Sequence, residues 1–121
     1  MWRDELVLSR PSAVIKCVMA GPKHLKIQDV SLRLSKKNGN GVLRREIWVD
    51  AKGKVVRYNL AYINHDIFQR DNGRVLGYDN AHGTHHRHMK GKVESVPFTS
   101  FEDIEQRFEA DWMALRRKGK T

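Results

Sequence analysis

The chain contains a single cysteine, Cys17. It cannot close an internal disulfide, which excludes a disulfide-dense secreted domain. No uninterrupted apolar run approaches the roughly 20 residues of a membrane span. The N-terminus, Met1-Trp2-Arg3-Asp4-Glu5, carries acids early and lacks the apolar centre of a signal peptide. The expectation is a soluble cytoplasmic protein. Four chemical motifs are missing as well: the G-x-x-x-x-G-K-[ST] phosphate loop, G-x-G-x-x-G, G-x-S-x-G and C-x-x-C. Their absence removes the common nucleotide-binding, hydrolase-elbow and zinc-ribbon readings.

Charge of one sign is what the chain has in excess. Lys and Arg total 23 against 14 Asp and Glu, a formal net charge of +9 with neutral His. That excess favours an acidic partner: nucleic acid, an acidic protein or an anionic membrane face. At 121 residues the chain fits one domain, 1–121, with one core. A 40% hydrophobic content argues against wholesale disorder.

No internal repeat or low-complexity block is present. Turn signals fall at Gly21-Pro22, Lys36–Gly41, Asp50–Gly53 and Asp71-Asn72-Gly73. Between them lie strand-like segments at Ser12–Ala20, Ile27–Leu34, Val42–Val49, Val55–Ile63 and Arg74–Asp79. In the fourth of these, Val56, Tyr58, Leu60 and Tyr62 are spaced by two, the period of one strand face. His85–Lys90 reads equally as an edge strand or a loop.

The period changes after Ser100. Phe101, Ile104, Phe108, Trp112 and Leu115 recur at three- and four-residue steps, one apolar stripe of a helix over about 100–117. Thr99 or Ser100 can cap it, and Ser100 with Asp103 approximates a capping box. Acids fill its first turn and bases its last, as the helix dipole favours, and a basic tail follows over 116–121. The predicted fold is therefore α+β: an antiparallel sheet of five to six strands with the C-terminal helix packed on one face.

The chemistry concentrates at Tyr78-Asp79-Asn80-Ala81-His82-Gly83-Thr84-His85-His86-Arg87-His88, which holds four of the six histidines. If 85–88 is extended, His86 and His88 share one face, and His85 and Arg87 the other. Acid–base cleavage of RNA is one reading. Imidazoles titrate near neutrality, so one can take the 2′-hydroxyl proton while the second protonates the departing 5′-oxygen. His86 and His88 are the candidate pair, with Arg87 on phosphate, or on the local backbone if it points inward, and Asp79 orienting an imidazole. Tyr78, His82, His85, Lys90 and Tyr58 are candidate substrate contacts. No cofactor is needed.

Metal binding is an alternative reading, with His82, His65 or Asp79 completing a divalent-ion shell. A solvated basic loop that touches phosphate without chemistry is the third. Tyr58, Tyr62 and Trp112 read as core. Asp50-Ala51-Lys52 reads as a turn rather than a metal-nuclease remnant. Lys36, Lys37, Arg44 and Arg45 form a basic cluster of the kind that is usually solvated, as do Arg116, Arg117, Lys118 and Lys120.

Arg74–Asn80, His82-Gly83 and His86-Arg87-His88 together resemble the signature of the TumE-like toxins of toxin–antitoxin modules. Glu94, Pro97-Phe98, Phe101, Phe108 and Asp111 are similar to that family's tail, and Arg57–Tyr62 to its tyrosine-rich strand. The likeness spans roughly Leu43–Leu115. His85 stands where the family often has an acid. The resemblance implies a toxin neutralised by a cognate antitoxin, commonly a helix-turn-helix DNA-binding protein.

Overall fold

Turn chemistry decides where the strands begin and end. A computed structural model describes residues 24–120. Within it six strands form one sheet: β1 (Leu25–Arg33), β2 (Val42–Val49), β3 (Val55–Ile63), β4 (Arg74–Asp79), β5 (His86–Met89) and β6 (Lys92–Ser95). Their spatial order is their chain order, and every neighbouring pair is antiparallel. The helix, α1, runs Phe101–Lys120. The α+β architecture expected from the sequence is what forms. The segment expected over Ser12–Ala20 lies outside the described residues.

Asp50 shows how the turns are made. Its Oδ1 accepts the backbone N–H groups of Lys52 (2.9 Å) and Lys54 (3.0 Å), and Gly53 takes a left-handed φ of 85°. The Lys54 N–H above all holds this carboxyl below its ordinary range. The Asp-Ala-Lys sequence is therefore committed to closing the β2–β3 hairpin. Between β5 and β6, Lys90 and Gly91 have φ of 48° and 85°. Two consecutive left-handed residues make a tight two-residue hairpin, which creates β6. A bulge between Lys26 and Gln28 explains the imperfect alternation of Ile27 and Val30 along β1.

One face of the sheet is apolar where it meets α1. Leu43, Tyr58, Leu60, Tyr62, Leu76 and Tyr78 are buried against Ile104, Phe108, Trp112 and Leu115. The helix lies over β3 and β4. Arg45 corrects the basic cluster read from the sequence. Alternation along β2 turns it to the helix side, where it is buried on Glu105 and donates from Nε to Gln28 Oε1 at 2.9 Å. Arg44, one residue earlier, stays on the opposite face with Asp29 (2.8 Å).

Ser100 is the residue that caps α1, its Oγ accepting the Asp103 N–H at 3.0 Å. Ser100→Ala is expected to cost about 1 kcal/mol of folding stability in urea titration. A change near zero would show that the helix end is held by packing alone.

Candidate active site

Strand alternation and register sort the chemistry-bearing residues onto two faces. Asp79 pairs with His86, Tyr78 with Arg87 and Gly77 with His88. Asp79, His86 and His88 therefore stand on the face away from α1, and Tyr78 and Arg87 on the face toward it.

On the open face His86 and His88 lie edge to face, with ring centroids 6.4 Å apart. His88 Nε2 is 2.9 Å from Asp79 Oδ2, and its Nδ1 is 3.2 Å from an Arg74 guanidinium nitrogen. Arg74 in turn donates from Nε to Asp71 Oδ2 at 2.8 Å, with another nitrogen 3.8 Å from Asp79. His86 has Thr84 Oγ1 near its ring, 3.2 Å from Nε2. The polar surface continues across the sheet through Asn59, which donates to Glu46 at 2.8 Å, to the ion pairs of Glu46 and Asp29 with Lys26 and Arg44.

The sequence places Arg74 at the start of a strand and in the family signature, with no role attached. Its stem lies over Gly77, where an added Cβ would stand 3.0 Å from Arg74 Cδ and 3.3 Å from Nη1. A glycine inside a strand marks close approach of another group. That was the one signal in the sequence for this contact.

The helix side holds a second cluster. Asp111 Oδ2 accepts from the Tyr78 hydroxyl (2.7 Å) and from Arg87 Nε (2.9 Å), and Arg87 is also 3.6 Å from Glu94. Burial, reinforced by Asp111, raises the Tyr78 hydroxyl well above the ordinary tyrosine value, so it stays a donor. The cluster ties α1 to β4, β5 and β6. Asp111 entered the sequence reading only through the family likeness; its bonding to Tyr78 and Arg87 across 33 and 24 residues left no local signal.

The remaining candidates disperse. His85 stacks on Phe98 (4.1 Å, 11°), and its Nδ1 meets the Tyr58 hydroxyl at 2.8 Å on the helix side. His82 is exposed in the β4–β5 turn, and Lys90 donates its N–H to Val75 O at 2.8 Å in the β5–β6 turn. His65 packs its ring against Gly73. Among the described residues, no three His, Cys, Asp or Glu side chains gather in a metal-ligand arrangement. Also among them, no helix is long and apolar enough to cross a membrane.

His85 carries a pH signature. Burial first, and the neighbouring His86 second, lower its pKa below the ordinary histidine value. The unfolded chain therefore binds the His85 proton more tightly than the fold does. Its contribution to stability is full above pH of about 6.5 and is lost as pH falls from there through the folded value. His85→Phe keeps a ring against Phe98 but cannot titrate. Between pH 7 and 5 the wild type is expected to lose more unfolding free energy than this variant; parallel curves would exclude the linkage.

A family model for the toxin TumE matches residues 20–117. No curated protein and no solved structure gives a significant match.

Proposed function

The chain belongs to the TumE toxin family, the toxin component of a toxin–antitoxin module, and from that premise we propose that it cleaves RNA by metal-independent acid–base catalysis. The observation that carries this reading is the pair His86 and His88, 6.4 Å apart on the uncovered face, with Asp79 on His88. A carboxylate bound to one ring nitrogen orients the imidazole for proton transfer through the other.

In the proposed step one imidazole takes the proton of the 2′-hydroxyl. O2′ attacks phosphorus, the O2′–P bond forms and the P–O5′ bond breaks. The second imidazole gives its proton to the departing O5′. The products are a 2′,3′-cyclic phosphate and a 5′-hydroxyl end, with no net proton change. His88, held by Asp79, and His86 share these roles. Arg87, on the other face with Asp111, is assigned to holding β5 in place rather than to phosphate. Tyr78 shares that positioning, and Tyr58 with His85 steadies the start of β5. His82 and Lys90, in the flanking turns, are the proposed outer contacts to RNA.

The partner in this reading is a cognate antitoxin, a helix-turn-helix protein with acidic surface that complements the +9 charge. The proposed setting is the cytoplasm. The test is chelator-treated protein incubated with end-labelled RNA, naked and on translating ribosomes. Fragments bearing cyclic phosphate and 5′-hydroxyl ends support the proposal. Salt-sensitive binding with intact RNA would replace it with a binding module. Cleavage that a chelator abolishes and a divalent ion restores would replace it with a metal site.

A further inference from the structure

The hydrogen bonds around His88 use both ring nitrogens. A guanidinium has only donors, so the contact of Arg74 with Nδ1, at 3.2 Å, makes Nδ1 the acceptor. The proton of the neutral ring is then on Nε2, where Asp79 Oδ2 accepts it at 2.9 Å. In this state the only basic lone pair of His88 is covered by Arg74. The ring is correctly oriented by its carboxylate, yet it can neither take a proton from substrate nor carry one at Nδ1.

Arg74 is also the cation best placed to meet a phosphate. It lies in the trough left by Gly77, beside His88 on the open face. Its Nε donates to Asp71 Oδ2, and the planar guanidinium is a rigid fork, so it swings as one unit on its flexible stem. A hydrogen bond from guanidinium to a phosphate oxygen is charge-assisted on both sides and roughly twice as strong as one between neutral groups. An anionic oxygen therefore outcompetes a neutral imidazole for the same N–H.

We propose that Arg74 is the phosphodiester receptor of this site and the positioning residue that keeps His88 closed until a phosphodiester is seated. The inference rests on the cleavage reading and adds to it a coupling: the substrate's own phosphate draws Arg74 away and exposes Nδ1. Idle protein then holds a covered base, and the site assembles only around its ligand. The step breaks and forms hydrogen bonds only, with no group transferred.

The test is nitrogen-15 NMR of histidine-labelled protein at pH 7.5, with His88 assigned through His88→Gln. The probe is a deoxydinucleotide monophosphate, which has the diester but no 2′-hydroxyl and is not cleaved. In free protein His88 is expected in the Nε2–H tautomer with a hydrogen-bonded Nδ1. The probe should move Nδ1 to the position of an uncovered acceptor, and the uncharged methylphosphonate analogue should not. Arg74→Met, which keeps the stem over Gly77, should show the uncovered signal without ligand.

An Nδ1–H tautomer in free protein overturns the proposal. So does a deoxydinucleotide that fails to bind, or that binds and leaves Nδ1 unmoved. RNA cleavage with an unresponsive Nδ1 signal would remove the Arg74 coupling and leave the nuclease reading. A responsive Nδ1 signal in a protein that never cleaves would do the reverse.

Discussion

His86→Ala and His88→Ala are each expected to lower RNA cleavage by a factor of about 10²–10⁴, the usual worth of a positioned proton-transfer group. The double variant should fall little further, because two residues that share one proton-transfer step are not additive. Folding should barely change. His86 lies on the uncovered face, where substitutions usually stay within about 0.5 kcal/mol. His88→Ala does not strand Asp79, since Arg74 stands 3.8 Å from the same carboxylate oxygen. Urea midpoints close to wild type, with activity lost, would separate chemistry from structure. Full activity in both variants would sink the assignment.

Phe108→Ala should show the opposite profile, a loss of fold. Phe108 is completely buried, and its ring meets Tyr78 edge-on with centroids 6.3 Å apart. Removing it leaves a void between α1 and the sheet, at a cost of about 3–5 kcal/mol. Domains of this size are net stable by only about 5–15 kcal/mol. The urea midpoint should drop sharply with little change in slope. Met113, 40% exposed on the outer side of the same helix, is the control: Met113→Ala should change stability by less than about 0.5 kcal/mol. Equal effects at the two positions would mean that α1 is not seated through Phe108.

The sheet was most legible where period and punctuation agree. The bounds of β2, β3 and β4 follow directly from alternating residues closed by Lys-Asn-Gly, Asp-Ala-Lys-Gly and Asp-Asn-Gly turns. The helix was legible from its stripe and from Ser100. β6 was not, because Lys92, Val93, Glu94 and Ser95 are all exposed and carry no alternation. Its existence depends on the backbone of Lys90-Gly91 rather than on side-chain hydrophobicity. Arg44 and Arg45 are chemically identical, and only the face each takes separates a surface cation from a buried one.

The candidate site divides in the same way. That His86 and His88 share a face follows from a period of two once β5 is extended. What surrounds His88 does not follow. Asp79 is nine residues before it and Arg74 fourteen, and their convergence requires the β4–β5 register. Arg87 sits between the two histidines in sequence yet faces α1, because adjacent strand residues point to opposite sides.

The strand order has a kinetic consequence. Each described strand pairs with the one made just before it, so every pairing closes a short loop. Such local contacts place a β-rich chain among the quicker folders of its class. Synthesis runs from the N-terminus, so successive hairpins can form before α1 is complete. The tyrosine face of β3 and β4 then waits for residues 101–116 to arrive, whereas the histidine face needs no later element to cover it. The lid on the core is made after all six described strands, and a nascent chain stopped short of it exposes an apolar sheet.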